Sequence, residues 1–300
     1  MKFIYRIFIG LVLILAVLSI LGRVLPPPKP PAAGKLVTLP NGTIINTYEK
    51  GVGPDIVLVH GLPGSAQGWV ELADALAAKG FHVVRYDRVG YGLSSRRAED
   101  ADYSMQASAR ELDELVKAMG LEHPALVGWS FGGGVVEASQ TARDPETPFI
   151  VLLAAIGPDM SLEGKKASIN TAQEWAMRLP VLGGILTGLD LRRRFGDTLP
   201  ARWVKVQRTM LLQPGAMKTF RKEMAQLAPA SLKVSDINTP TLIIHGTKDS
   251  MVEYAVGQGL ARRIKDSKLV TLDDVDHMLP LSNTDDVAGA IIAFAEEQTH

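Results

Sequence analysis

The sequence contains no cysteine, no excess of either charge and no internal repeat. Without cysteine the chain can form no disulfide, no thiolate metal site and no cysteine nucleophile. Lysine and arginine together number 32, as do aspartate and glutamate, so the formal net charge is zero. The basic surplus that nucleic-acid binding requires is therefore missing, and we expect no nucleic-acid partner.

The beginning of the chain differs in composition from the rest. Residues 7–22 form an unbroken apolar run, and with its flanking residues this run reaches the length of about 20 residues that spans a bilayer. Residues 26–34 follow as a proline-rich, semi-rigid linker. We predict that residues 1–25 form an uncleaved membrane anchor in a bacterial inner membrane. We expect the remainder on the periplasmic side, although the positive charges before and after the run are nearly balanced and leave the orientation open. Secretion after signal cleavage is the alternative, although no small-x-small cleavage site follows the apolar run.

From residue 35 onward, short apolar runs alternate with helical patterns. A hairpin with the turn pair Asn41-Gly42 comes first, over residues 36–48. The later runs are almost continuously apolar, as in strands of a parallel sheet that is covered on both faces. These strands are predicted at residues 56–59, 82–86, 125–127, 149–154, 241–244 and 268–272. Helices are predicted at residues 67–79, 104–119, 132–143, 252–264 and 284–297.

This alternation predicts one α/β domain over residues 35–300, with a mostly parallel eight-stranded sheet and helices on both faces. Residues 158–235 interrupt it, because they have helical patterns and no strand-like run. We interpret this segment as a helical lid inserted between two strands of the sheet. Its tryptophan and methionine residues suit either an apolar pocket or ordinary core.

The clearest chemical signal is the sequence Gly-Trp-Ser-Phe-Gly at residues 128–132, between a predicted strand and a predicted helix. A sharp turn from strand to helix needs glycine on either side of the serine to relieve crowding. The oxygen of Ser130 would project from this turn, beside a helix N-terminus that favours negative charge. We therefore predict that Ser130 is a nucleophile.

A second segment, His-Gly-Leu-Pro-Gly at residues 60–64, directly follows a predicted strand. A tetrahedral intermediate at Ser130 would need two backbone N–H donors. We predict that Leu62 and Phe131 donate them, since proline at position 63 has no N–H to give. His60 is interpreted as a residue that shapes the loop rather than as a base.

The predicted base and acid also follow strands. Asp249 lies just after the strand at 241–244, and His277 lies just after the strand at 268–272. Ligands and catalytic groups gather at these carboxyl ends in open α/β sheets. A serine hydroxyl needs a base to remove its proton, and an imidazole performs this task best when a carboxylate orients it. We predict a catalytic triad in the chain order Ser130, Asp249, His277.

Five segments together resemble the α/β-hydrolase superfamily: HGLPGS, YDRVGYGLSS at residues 86–95, GWSFGG, HGTKD and DHMLP. Within it, the chain from residue 35 is similar to bacterial esterases, lipases, meta-cleavage-product hydrolases and cofactor-free haloperoxidases. The resemblance implies an α/β-hydrolase fold and a structural turn at Asp87 and Arg88. Some relatives place the acid after the preceding strand, where this chain has Asp159. Dehalogenases and epoxide hydrolases have aspartate at the position of Ser130, so the resemblance argues against both activities.

The sequence therefore predicts a carboxylic-ester hydrolase that acts on a small-molecule or lipid ester through an acyl-enzyme. No metal and no organic cofactor is required by this chemistry. Carbon–carbon bond hydrolysis, lactone hydrolysis and perhydrolysis are alternatives on the same triad. A hydrolase-fold protein that binds without turnover is an alternative of another class. The substrate, the acyl chain length and the oligomeric state are not determined by the sequence.

Overall fold

The computed structural model describes residues 2–24, 29–140, 147–163, 171–179, 182–195 and 199–298. Within these ranges the strands are β1 (Lys35–Thr38), β2 (Ile44–Lys50), β3 (Asp55–Val59), β4 (His82–Tyr86), β5 (Ala125–Trp129), β6 (Ile150–Leu153), β7 (Thr241–Gly246) and β8 (Ser267–Leu272). The helices are α1 (Lys2–Val24), α2 (Val70–Ala77), α3 (Met105–Met119), α4 (Phe131–Gln140), α5 (Thr171–Arg178), α6 (Leu182–Phe195), α7 (Ala201–Leu211), α8 (Ala216–Ala225), α9 (Tyr254–Arg263), α10 (Leu279–Ser282) and α11 (Thr284–Glu297).

The eight strands of the described residues form one sheet in the order β1-β2-β4-β3-β5-β6-β7-β8. Strands β1 and β2 form the predicted hairpin, with Val37 opposite Ile45, and β2 also pairs antiparallel with β4. The pairs from β4 to β8 are all parallel. The prediction of a mostly parallel eight-stranded sheet is confirmed.

Both faces of the sheet are covered because the central strands are apolar on both sides. In β3, Val57 and Val59 pack in one core layer, whereas Ile56 and Leu58 pack in the other. This alternation follows from the two-residue period of side chains along a strand. The first layer also contains apolar residues of α3, α4 and α9, and the second contains those of α2 and α11.

Some helix boundaries differ from the prediction. The helix predicted from residue 67 begins as a 3-10 turn, Ala66–Trp69, and continues as α2. The helix predicted from residue 252 begins at Tyr254, and the N–H groups of Met251 and Val252 before it donate to the carboxylate of Asp249. The predicted helix 132–143 is described only as far as Gln140, and its last residues lie outside the described ranges.

The predicted lid segment contains helices α5 to α8, between β6 and β7. Its own core packs against Tyr91, which lies in the loop after β4. The lid residues of this cluster are Met177, Leu211, Leu212, Ala216, Met217 and Phe220. The lid therefore rests on the edge of the sheet at which β4 ends. The domain limits at residues 35–300 and 158–235 stay predictions.

The predicted membrane anchor corresponds to helix α1. Crossing a bilayer requires about 20 consecutive, predominantly apolar residues in a helix. No helix meets both the length and the apolar requirement within the residues that the structure describes. The anchor predicted over residues 1–25 is therefore not supported. Residue 25 and the linker residues 26–28 lie outside the described ranges.

Two helical glycines provide a test of the packing of α4. A β-carbon added at Gly132 would lie 2.1 Å from the carbonyl oxygen of Val59, whereas one added at Gly289 in α11 would meet nothing within 4 Å. We expect Gly132→Ala to lower the free energy of unfolding by about 1–3 kcal/mol, as overpacking does. Gly289→Ala should raise it by about 0.5–1 kcal/mol, because alanine favours the helix. Urea unfolding of both variants measures the difference, and equal effects would contradict this packing.

Candidate active site

Ser130 lies in a strained turn between β5 and α4. Its φ angle is 57°, in the left-handed region that non-glycine residues rarely adopt. The Ser130 N–H donates to the carbonyl of Leu153 at 2.9 Å, which holds the turn against β6. A β-carbon added at Gly128 would lie 2.4 Å from the carbonyl oxygen of Gly132. Glycine is therefore required there by close packing, as the sequence pattern predicts.

The segments of the predicted oxyanion donors both adjoin Ser130. Phe131 is the first residue of α4, so its N–H is among those that a helix N-terminus leaves without an intrahelical partner. A β-carbon added at Gly61 would lie 3.1 Å from the β-carbon of Ser130 and 3.7 Å from its Oγ. The loop that carries Leu62 thus runs directly beside the serine. Donation by Leu62 and Phe131 to an oxyanion stays a prediction.

Asp249 and His277 are in direct contact. Nδ1 of His277 lies 2.8 Å from Oδ2 of Asp249, while the other carboxylate oxygen accepts the N–H groups of Met251 and Val252 at 2.9 and 2.8 Å. Burial alone would raise the pKa of the Asp249 carboxyl. The charge of His277 and hydrogen bonds from His245, His277 and the Val252 N–H outweigh burial and hold this pKa well below its ordinary value.

The alternative acid, Asp159, has a different partner. Its carboxylate lies 2.6 Å from the guanidinium of Arg263 on α9, and both side chains are exposed to solvent. The Arg263 hydrogen bond lowers the pKa of Asp159. Of the two aspartates, Asp249 is therefore the one that the structure brings to His277.

Trp129 joins the nucleophile turn to the histidine loop, which the sequence did not reveal. Its Nε1 donates to the carbonyl of His277 at 3.0 Å, and the two rings lie 5.9 Å apart between centroids. The ring of Trp69 packs edge-on against it at 6.0 Å. An aromatic residue directly before the serine was the only signal in the sequence. Its partner is 148 residues away, so the contact depends on the packing of β5 against the loop after β8.

His60 has the structural role that the sequence suggested. Its Nε2 accepts the backbone N–H of Arg88 at 3.0 Å, so the ring proton lies on Nδ1, which donates to the carbonyl of Gly61 at 2.9 Å. Burial, and next the charge of Arg88, lower the pKa of His60 well below its ordinary value. A neutral ring that uses both nitrogens in this way shapes the loop and is not available as a base.

The turn at Asp87 is also structural. The Asp87 carboxylate is fully buried and accepts the N–H groups of Ala66 and Leu93 and the side-chain amide of Asn46, at 2.8, 2.9 and 2.8 Å. These bonds tie β2, β4 and the start of the α2 region together. Burial raises the pKa of Asp87, and the hydrogen bonds act against this rise.

A cavity of about 340 Å³ lies between the sheet edge and the lid. Ser130 and His277 both line it, together with Leu62 from the neighbouring loop. The lid contributes mostly apolar side chains: Ala176, Met177, Leu186, Leu191, Phe195, Trp203 and Leu211. Its polar contribution consists of Gln173, Thr187, Asp190, Arg194 and Gln207. Within the described part of the chain, no group of three histidine, aspartate or glutamate side chains could hold a metal ion.

Comparison with known proteins agrees with this architecture. A sequence model of the alpha/beta hydrolase family matches residues 56–290. Lipase 3 of a Moraxella species is 24% identical, over 81% of this chain and 78% of the lipase. The 2-hydroxymuconate semialdehyde hydrolase of Pseudomonas putida is 23% identical, over 90% of this chain and 97% of that enzyme. The crystal structure of a meta-cleavage product hydrolase from Pseudomonas fluorescens has a TM-score of 0.74 at 24% identity, covering 88% of this chain and 98% of its own.

The neutral state of His60 predicts a loss of stability in weak acid. In the unfolded chain this ring takes up a proton near pH 6.5, whereas the folded protein resists protonation there. At this site the unfolded state then binds more protons, so lowering the pH from 7 to 5 should reduce the contribution of His60 to the free energy of unfolding. The contribution of one such group is at most about 1.4 kcal/mol per pH unit. Urea unfolding of the natural chain sums over all groups, and Glu111 and Glu137, whose pKa values burial raises, act in the opposite direction, so the His60 contribution is followed at its own ring.

The specific check is an NMR titration of the histidine rings in the folded protein. The His60 ring should keep its Nδ1-protonated, neutral signals down to pH 5. Titration of that ring near pH 6.5 would contradict the assignment.

Proposed function

This chain belongs to the alpha/beta hydrolase family, and within that family we propose that it is a serine hydrolase that cleaves carboxylic esters. The main support for this proposal is the arrangement of three side chains at the edge of the sheet. Ser130 and His277 line the same cavity, and His277 is hydrogen-bonded to the buried Asp249. An alcohol, an imidazole and a carboxylate in this arrangement suit nucleophilic acyl transfer.

The proposed reaction has two halves. Nδ1 of His277 is engaged by Asp249, which leaves Nε2 to accept the proton as Ser130 Oγ attacks the ester carbonyl. The oxyanion of the tetrahedral intermediate accepts the N–H groups of Leu62 and Phe131. The imidazolium then protonates the departing alcohol, leaving an acyl group on Ser130. Water, deprotonated by His277, attacks this acyl group and releases the acid.

The negative charge of Asp249 suits its proposed role beside His277. The pKa of its carboxyl is held well below the ordinary value, so it stays ionised throughout the neutral range. A negative charge at 2.8 Å from Nδ1 stabilises the imidazolium that forms when Ser130 loses its proton. The N–H donors from Met251 and Val252 hold the carboxylate in this orientation.

The cavity supports a substrate with an apolar acyl or alcohol group. The lid walls are formed by leucine, methionine, phenylalanine and tryptophan side chains, which favour burial of hydrocarbon by roughly 25 cal/mol per Å². The cationic side chain in the lining, Arg194, lies 3.0 Å from Asp190 and is thereby paired. The mostly apolar lining therefore favours an uncharged ester.

Carbon–carbon bond hydrolysis is the second candidate. It is supported by the similarity to the 2-hydroxymuconate semialdehyde hydrolase and to the meta-cleavage product hydrolase. Ser130 and His277 could catalyse either reaction. The residues at the sheet edge therefore do not distinguish ester hydrolysis from carbon–carbon bond hydrolysis. The apolar side chains of the lid favour esters.

Substitution of the nucleophile tests the proposal. Ser130→Ala should fold as the natural chain does and lose at least about 10⁴-fold in kcat for esters, because the members of a triad act as a unit. The natural protein should react covalently at Ser130 with a fluorophosphonate, and the variant should not. Ser231→Ala, in an exposed turn of the lid segment, is the matched control and should retain both properties.

The assay compares p-nitrophenyl esters of short and long acids with a meta-cleavage dienoic acid, a lactone and peracid formation. Faster turnover of the dienoic acid would favour the second candidate. Folded natural protein that neither labels nor turns over any of these substrates would instead indicate a binding protein.

A pair of aspartate variants tests the assignment of the acid. Asp249→Asn should lower kcat by about 10³–10⁴-fold, because an amide neither orients His277 correctly nor stabilises its positive form. Asp159→Asn removes an exposed ion pair with Arg263 and should change kcat by less than about twofold. Steady-state kinetics of both variants show which aspartate is the acid of the triad. A large loss in Asp159→Asn with little loss in Asp249→Asn would reverse the assignment.

A further inference from the structure

The guanidinium of Arg88 contacts the loop that carries one proposed oxyanion donor. Arg88 is 1% exposed, and its Nε donates to the carbonyl of His60 at 3.1 Å, while Nη2 lies 3.5 Å from the carbonyl of Gly61. The Gly61 carbonyl belongs to the same peptide unit as the Leu62 N–H. Because a trans peptide is planar, the direction of its carbonyl determines the opposite direction of its N–H. Donors that hold the Gly61 carbonyl therefore aim the Leu62 N–H.

The same guanidinium also contacts the second proposed donor residue. It lies over the ring of Phe131, 4.5 Å from the ring centroid, and over the ring of Tyr91 at 5.0 Å. Phe131 supplies the other N–H at the start of α4. One buried cation thus touches both segments from which the oxyanion donors come.

The counter-charge of this cation comes from the lid. Glu223 on α8 is fully buried and pairs with Arg88 through both oxygens, with Nη1–Oε1 and Nη2–Oε2 distances of 2.8 and 3.2 Å. The hydroxyl of Tyr91 donates to the same carboxylate at 2.7 Å. The ring of Tyr91 packs edge-on against His60 at 5.5 Å between centroids, and His60 Nδ1 in turn donates to Gly61. Glu223 therefore reaches the loop by two routes.

Resting on the proposed ester hydrolase function, we propose that Glu223 is a positioning residue for the oxyanion site. By holding Arg88 and Tyr91, it keeps the Leu62 and Phe131 N–H groups aimed at the point where the oxyanion forms. A lid residue then controls transition-state stabilisation without lining the substrate cavity. Glu223 touches no reacting atom, so its loss should affect turnover rather than substrate binding.

The test uses Glu223→Gln in the full chain, which keeps the shape of the side chain and removes its charge. Glu174→Gln is the matched control, because Glu174 is also a lid glutamate, paired with Arg178 at 3.0 Å and with Arg221 at 2.8 Å. Fluorophosphonate titration first counts the reactive sites in each preparation. We expect kcat per titrated site to fall about 10–100-fold in Glu223→Gln, since loss of one oxyanion donor costs about 10²–10³-fold. KM should stay within about threefold, and Glu174→Gln should change neither constant.

Inhibition by a trifluoromethyl ketone analogue of the preferred ester separates a change in the oxyanion site from a loss of folded protein. Fewer folded molecules would leave the inhibition constant unchanged. Its tetrahedral adduct carries the oxyanion, so its inhibition constant should rise in Glu223→Gln by the same factor by which kcat/KM falls. An unchanged kcat per titrated site, with only fewer sites, would overturn the inference and leave the ester hydrolase proposal intact. A natural chain without turnover and without labelling at Ser130 would overturn both.

Tyr91→Phe covers the case in which Glu223→Gln does not fold. This variant keeps the ring against His60 and removes only the hydrogen bond to Glu223. It should show a smaller fall in kcat per site, about 3–10-fold, with KM unchanged and a matching rise in the inhibition constant of the ketone. If kcat per titrated site and the inhibition constant both keep their natural values in this variant, the proposed effect of Glu223 on the loop through Tyr91 is contradicted.

Discussion

The left-handed backbone conformation of Ser130 is the constraint on which the geometry of the site depends. A side chain at φ 57° crowds its own backbone, at a cost of about 1–2 kcal/mol. Hydrogen bonds offset this cost: the Ser130 N–H binds Leu153, and its carbonyl accepts the N–H groups of Gly133 and Ile156. The turn places the serine oxygen at the carboxyl edge of the sheet. Phe131 follows the serine directly, whereas Leu62, Asp249 and His277 have to reach that point from loops after other strands.

The buried charged side chains Asp249 and Arg88 at this edge of the sheet each have a partner that stabilises the charge. Asp249 is surrounded by His277, His245 and amide donors, which keep it ionised although it is buried. Arg88 is charged although it is buried, because Glu223 pairs with it: burial lowers the pKa of Arg88, and the charge of Glu223 more than reverses this. A buried charge without a partner would strongly destabilise the fold. In the proposed site, charges that orient catalytic groups therefore need counter-charges, and the one that pairs with Arg88 comes from the lid.

Membership in the family leaves the reaction open, because related chains named lipase and semialdehyde hydrolase match over similar lengths. Fold alone does not imply function. The groups at the sheet edge can serve several reactions of carbonyl carbon. What separates the candidates is the cavity wall, which the lid helices provide with mainly apolar side chains. The proposal of an ester substrate rests on that wall.

The sequence by itself determined the features whose physical cause is local. Apolar runs predicted the strands of the parallel sheet, and the glycines around Ser130 predicted a crowded turn, which the close contacts at Gly128 and Gly132 show. The placement of Asp249 and His277 near each other followed from the rule that parallel strands end at one edge. The apolar run before residue 25 was locally just as clear, yet the membrane anchor inferred from it is not supported.

Only the tertiary structure decided which groups touch. Asp249 contacts His277 and Asp159 contacts Arg263, a choice that depends on how the loops after β6 and β7 turn. The Trp129–His277 bond joins residues 148 positions apart, and the Arg88–Glu223 pair joins residues 135 positions apart. Hydrogen bonds of this kind act over about 3 Å, so they depend on the packed positions of whole elements. Sequence patterns report periodicity and local turns, and they contain no such distances.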